Sequence, residues 1–119
     1  ANGFFVQPTV FDGVTSNMRI AREEIFGPVM SIITWNDNET ILSEVNGLEY
    51  GLTALVVTES YRTAMETVER VEAGYMWINA NGRYLGAPYG GWKSSGLGQE
   101  ECFDEMLSYT RIKNVHMRW

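Results

Sequence analysis

Leu52-Thr53-Ala54-Leu55-Val56-Val57 is a nearly continuous apolar run between turn signals. Six such residues have the pattern of a strand buried on both faces. Just downstream, Ser60 can cap a helix with Ala64, Met65, Val68 and Val71 along one stripe and Gly74 as its stop. Tyr75-Met76-Trp77-Ile78 then reads as a short strand. Upstream, Val29 to Trp35 reads as another strand. Asp37 or Asn38 can cap a helix burying Ile41, Leu42 and Val45, and Gly47 stands where a left-handed C-terminal cap belongs. Strands joined through helices imply a parallel sheet with right-handed crossovers. The expected class is therefore α/β, with a βαβαβ core.

Both ends extend this pattern. Phe4 to Phe11 has strand composition, but Pro8 cannot donate to a ladder and belongs at an edge or bend. Six of the twelve glycines fall between Gly82 and Gly98, so 79–98 reads as one long irregular loop. Residues 99–108 read as an acidic helix, with Glu100, Glu101, Asp104 and Glu105 toward water and Phe103, Met106 and Leu107 inward. From Arg111 to Arg118, basic or polar residues alternate with apolar ones, as in a half-exposed strand.

Composition narrows the function. At 119 residues, 45% apolar and 13% aromatic, the chain has the makeup of one globular domain with a core of its own. A net charge of -6 argues against a nucleic-acid surface, which needs clustered positive charge. No apolar run is long enough to span a bilayer, and no secretory signal pattern is visible. A single cysteine, Cys102, and a single histidine, His116, leave no internal disulfide and no cysteine or histidine metal cluster. A reducing, cytoplasmic compartment is expected. The first residue is Ala1, not methionine, which fits a cut in a longer chain.

Few motifs carry chemistry. Cys102 sits among Glu100, Glu101 and Asp104, and negative neighbours do not activate a thiol as a nucleophile. Gly96-Leu97-Gly98 lacks the third glycine of a dinucleotide fingerprint, and Gly91-Trp92-Lys93-Ser94 lacks the glycine that a phosphate loop places before its lysine. Lys93 is then a solvated or structural lysine. Two segments stand out. In Glu23-Glu24-Ile25-Phe26-Gly27-Pro28, a carboxylate could accept from a vicinal diol beside an aromatic face, or the segment is simply a solvated turn feeding a strand. In 79–98, Arg83, Tyr84, Tyr89 and Trp92 among glycines could wall an apolar pocket or pack on a neighbouring domain.

Taken together, five blocks resemble the aldehyde dehydrogenase superfamily in order and spacing, over essentially the whole chain. They are Phe4 to Phe11 with Glu23 to Val29, Tyr50 to Ala54, Ala73 to Asn79, Pro88 to Gly96, and Tyr109 to Lys113. The likeness is strongest to the hydrolytic, NAD(P)-dependent enzymes, including the betaine-aldehyde-like branch. It implies the C-terminal part of a longer chain. Residues 1–109 would belong to the catalytic domain, with a nicotinamide-contact segment at 18–30 and a substrate-entrance loop at 79–98. Residues 110–119 would be an oligomerisation strand, pairing with another subunit through about 110–117.

The resemblance also assigns roles. Glu24 matches the glutamate that binds the nicotinamide ribose, and Phe26 the aromatic beside the nicotinamide. Tyr89 matches the aromatic of the aldehyde entrance, with Asn81, Arg83 and Tyr84 as further substrate contacts. The parent reaction is thiolate attack on an aldehyde, hydride transfer to NAD or NADP, and hydrolysis of the thioester to a carboxylic acid. The nucleophilic cysteine and the general-base glutamate lie upstream of every segment present here. The chain alone is then expected to be inactive, with the remainder of the enzyme and other subunits as its partners, and with neither nucleic acid nor membrane among them. The alternative is a standalone, non-catalytic α/β module that self-associates through its tail.

Overall fold

The computed structural model describes residues 2–119, so the expectation attached to Ala1 lies outside the described residues. The chain divides into two compact units, residues 1–48 and 49–119.

The first unit holds β1 (Thr9–Phe11), α1 (Arg19–Arg22), β2 (Val29–Ser31) and α2 (Asn38–Asn46). β1 and β2 pair in parallel, Thr9 opposite Val29 and Phe11 opposite Ser31. Both strands are shorter than the sequence pattern implied. Pro8 stands just before β1, and Asp12-Gly13, with Gly13 at φ 67°, turns the chain away after it, leaving β2 only three partners. Phe4, Phe5 and Val6 lie outside any strand and are exposed. Asp37 caps α2, its carboxylate accepting from the Thr40 N–H at 2.8 Å and the Thr40 hydroxyl at 2.6 Å. Gly47 is not a left-handed cap. It stays right-handed at φ -73°, because its N–H continues the helical ladder to the Ser43 carbonyl at 2.9 Å.

The second unit holds β3 (Tyr50–Gly51), β4 (Thr53–Val56), α3 (Tyr61–Arg70), β5 (Tyr75–Ile78), β6 (Trp92–Lys93) and α4 (Phe103–Ser108). β4, α3 and β5 form the expected βαβ unit, with four parallel register pairs from Thr53–Tyr75 to Val56–Ile78. Ser60 caps α3 by accepting from the Thr63 N–H at 3.2 Å. Ala64 and Val71 are buried, and Met65 and Val68 half-buried, as the stripe predicts. The helix stops at Arg70, ahead of Gly74, because Val71 turns extended and buries its side chain.

Two regions differ from expectation. Residues 79–98 are not wholly irregular: β6 pairs antiparallel with β3, Tyr50 opposite Lys93 and Gly51 opposite Trp92. The pair is locked by the Gly51 N–H donating to Ser95 Oγ at 2.8 Å and the Ser94 N–H donating to the Glu49 carbonyl at 2.9 Å. The acidic helix is only six residues long, and Phe103, Met106 and Leu107 are exposed rather than inward. Residues 110–119 form no strand here and are exposed throughout.

The expected self-sufficient core is not present among the described residues. The buried apolar side chains are Val14 in the first unit and Ala64, Val71 and Ala73 in the second, all small. Leu55 on β4 is 51% exposed, so that strand covers one face, not two. No helix among the described residues is long and apolar enough to cross a membrane.

Candidate functional site

The six candidate residues fall on both units: Glu24 and Phe26 on the first; Asn81, Arg83, Tyr84 and Tyr89 on the second.

On the first unit, α1 ends at Arg22, and Glu23, which caps it, is already extended. Arg19 grips Glu23 as a fork, Nε to Oε1 and Nη2 to Oε2, both at 2.7 Å. That hydrogen bonding holds the Glu23 carboxyl below its ordinary range and the Arg19 guanidinium above its own. Glu23 is therefore committed locally. Glu24 is exposed, and among the described residues no hydrogen bond or ion pair engages its carboxylate. Two residues on, Phe26 lies at φ 55° with its side chain 92% exposed. A bulky side chain in the left-handed region is a backbone outlier, costing about 1–3 kcal/mol. Strain of this kind collects at ligand-contacting positions.

On the second unit, the loop after β5 is tied down residue by residue. Asn79, at φ 51°, joins the ends of the parallel pair: its Oδ1 accepts from the Thr58 N–H at 2.9 Å and its Nδ2 donates to the Thr58 carbonyl at 2.8 Å. The Trp77 indole N–H donates to the Gly82 carbonyl at 2.7 Å. The Arg83 guanidinium carbon sits 4.1 Å from the Tyr89 ring centroid, and its Nη2 lies 2.8 Å from Glu101 Oε1. Tyr75 meets Tyr89 at 5.5 Å and Trp77 at 4.8 Å between centroids, both tilted. Tyr89 and Glu100 exchange two backbone hydrogen bonds, at 3.0 and 2.7 Å.

Thus Arg83 and Tyr89 come together, while Asn81 and Tyr84 stand apart. Asn81 lines a cavity of about 640 Å³ with Leu55, Val57, Glu59 and Asn79, at the C-terminal ends of β4 and β5. That end of a parallel pair is where ligands bind in open α/β sheets. Tyr89 lines a separate groove of about 950 Å³ with Leu52, Gly90, Trp92 and Tyr109. Tyr84 is exposed and uses its carbonyl in a turn, accepting from the Ala87 N–H at 3.2 Å. Lys93 is structural, pairing with Glu72 at 2.8 Å.

The sequence pattern missed Glu101 and Asn79. Glu101 reads as one carboxylate of a solvated acidic run; its half-buried position and φ of 61° come from the loop it anchors. Asn79 could have been found from its residue type, since asparagine tolerates the left-handed region at the end of a strand. Among the described residues, no group of three or more His, Cys, Asp or Glu side chains gathers to hold a metal ion.

The Aldehyde dehydrogenase family model matches residues 1–115, and the chain belongs to that family. It is 50% identical over 116 residues to the aldehyde dehydrogenase tropH of Talaromyces stipitatus, covering 97% of this chain and 22% of that protein. It is 43% identical over 116 residues to the betaine aldehyde dehydrogenase of Mesorhizobium japonicum, covering 97% of this chain and 24% of that protein. The NAD+ complex of an aldehyde dehydrogenase from Bacillus cereus superimposes with a TM-score of 0.87 at 39% identity, covering 95% of this chain and 23% of that one. The chain therefore spans about a quarter or less of the length of these relatives. The α/β class with parallel strand pairs agrees with this fold.

Proposed function

We propose that this chain is the C-terminal part of an NAD(P)-dependent aldehyde dehydrogenase that oxidises an aldehyde to a carboxylic acid. The observation that carries the proposal is the free Glu24 carboxylate beside the exposed, left-handed Phe26. The family match over residues 1–115 and the likeness to an NAD+ complex support it.

The residues fit a nicotinamide nucleotide. A ribose diol needs carboxylate oxygens open to accept, and among the described residues nothing engages those of Glu24, while Glu23 is taken by Arg19. A nicotinamide ring needs a flat apolar wall, and the Phe26 side chain is open to provide one. The nucleotide, when bound, supplies the hydride acceptor. Glu24 accepts hydrogen bonds from the hydroxyls and so sets the ring's orientation. Phe26 keeps water from one side of it. Loop 79–98 lines the aldehyde entrance, with Tyr89, Asn81, Arg83 and Tyr84 as its candidate contacts. In this reading the nucleophilic thiol lies in the remainder of the enzyme, and Cys102, at the start of α4 among Glu100, Glu101 and Asp104, is not it. The segment alone forms no product.

The same proposal places residues 1–109 in the catalytic domain and makes 110–117 a strand that joins another subunit of a homo-oligomer in the cytoplasm. The exposed apolar side chains of Val115 and Met117, two residues apart on one face of an extended chain with His116 between them, support the strand. The betaine-aldehyde-like branch describes ancestry, supported by the identity to the Mesorhizobium japonicum enzyme, and does not fix the charge of the substrate.

The test is Glu24→Gln in the full-length enzyme. Steady-state NADH formation should show kcat lowered about tenfold or more, with the aldehyde KM moving less. Wild-type turnover with unchanged nucleotide affinity would remove Glu24 from the cofactor site.

A further inference from the structure

Aromatic walls can take an apolar aldehyde or, by cation–π attraction, a quaternary ammonium one. The arrangement around Tyr89 separates these two. Its ring face already carries a cation, the Arg83 guanidinium at 4.1 Å, well inside the range of about 6 Å for such contacts. Arg83 is anchored by Glu101 at 2.8 Å. Glu101 is anchored in turn, its N–H donating to Glu105 Oε2 at 2.7 Å and its carbonyl accepting from the Gly86 N–H at 2.9 Å. Tyr89 is held by its two backbone bonds to Glu100 and by the tilted contact with Tyr75.

A trimethylammonium group is held best where several open aromatic faces converge. The ring pairs among the described residues both run through Tyr75, to Trp77 and to Tyr89, and Tyr84 and Trp92 belong to neither. With Tyr89 capped, this loop keeps apolar surface at Tyr84, Leu85 and Trp92, and among the described residues no aromatic cage forms. Glu101 balances the Arg83 charge, so exclusion works by occupying the ring face, not by repulsion at a distance. An anionic aldehyde gains no free cation here either.

We propose that Arg83 is a specificity-determining residue: by capping Tyr89 with an internal cation, it makes the entrance selective for uncharged aldehydes over quaternary ammonium ones. The proposal rests on the assignment of loop 79–98 to the aldehyde entrance.

The experiment compares benzaldehyde with betaine aldehyde in the full-length enzyme, by NADH formation. Wild type should favour benzaldehyde in kcat/KM by about tenfold or more. Arg83→Met should raise the ratio of kcat/KM for betaine aldehyde over benzaldehyde about tenfold, mainly through a lower KM for betaine aldehyde. Arg83→Gln, which removes the cation but can still donate to Glu101, should reproduce that shift even if the methionine variant folds poorly. Arg83→Lys, which keeps a cation, should retain the wild-type preference. Equal use of both aldehydes by wild type, or parallel loss of both activities in Arg83→Gln, would overturn the proposal and leave the enzyme assignment standing. No NADH from either aldehyde would overturn both.

Discussion

Gly74 lies against Gly90 so closely that a Cβ at position 74 would overlap the Gly90 carbonyl oxygen. The contact seats the glycine-rich loop on the start of β5, and the obstructing atom is backbone, which cannot rotate away. Gly74→Ala should therefore destabilise the full-length protein by about 1–3 kcal/mol. A thermal midpoint equal to wild type would show that the loop yields without cost.

Asn79 satisfies both backbone polar groups of Thr58 while occupying the left-handed region. Asn79→Ala loses both bonds and adds backbone strain. About 1–3 kcal/mol is expected, near the lower end because the residue is exposed. Denaturant titration measures it. Asn79→Asp, which keeps the acceptor, should fall between the two.

Phe26 should show opposite effects on stability and activity. Phe26→Gly removes a left-handed bulky residue, so the thermal midpoint should hold or rise. The same change removes the aromatic wall proposed for the nicotinamide, so on that proposal the KM for NAD should increase severalfold. A loss of stability with unchanged KM would make Phe26 a packing residue.

Asp37 gives a pH signature. Hydrogen bonds from the Thr40 hydroxyl and then the Thr40 N–H hold its carboxyl below the ordinary 3.8. A depressed folded-state value contributes stability above the unfolded value and loses it as pH falls through the folded one. Asp37→Asn keeps a good cap but cannot titrate. The stability advantage of wild type over Asp37→Asn should thus be constant above about pH 5 and shrink below 3.8. A difference that does not change with pH would exclude a titrating cap.

The parts of the fold legible in the sequence are those with local causes. Ser60 and Asp37 each carry a side-chain acceptor at the right offset, and α3 has its Ala64–Val71 stripe, so both helices start where expected. β4 and β5 are bounded by turns and pair as a helix-linked parallel unit must. What was hidden is non-local. The β3–β6 pair is two residues long and joins Tyr50 to Lys93, 43 positions away, and Gly51 to Trp92, 41 away, too short to show any period. Glu101 acquires its role only when Arg83 folds back to meet it. Strand lengths were overestimated because an apolar run marks surface to be covered, whether by its own chain or another. Of the candidate site, Glu24 and Tyr89 could be singled out as proposed contacts through the blocks they sit in. That Glu23 is engaged and Glu24 is not depends on Arg19 standing one helical turn before Glu23.

Leu55, Val57 and Tyr61 are 51%, 77% and 80% exposed in this chain, and in the proposed longer aldehyde dehydrogenase further protein covers them. Natural variation at these positions should follow the rules of an interior. A deep mutational scan of the whole enzyme should find charged residues purged at Leu55 and Val57, while Glu66 and Glu69 on α3 accept them freely. Under that proposal the most exposed apolar side chains of this chain are its least replaceable ones.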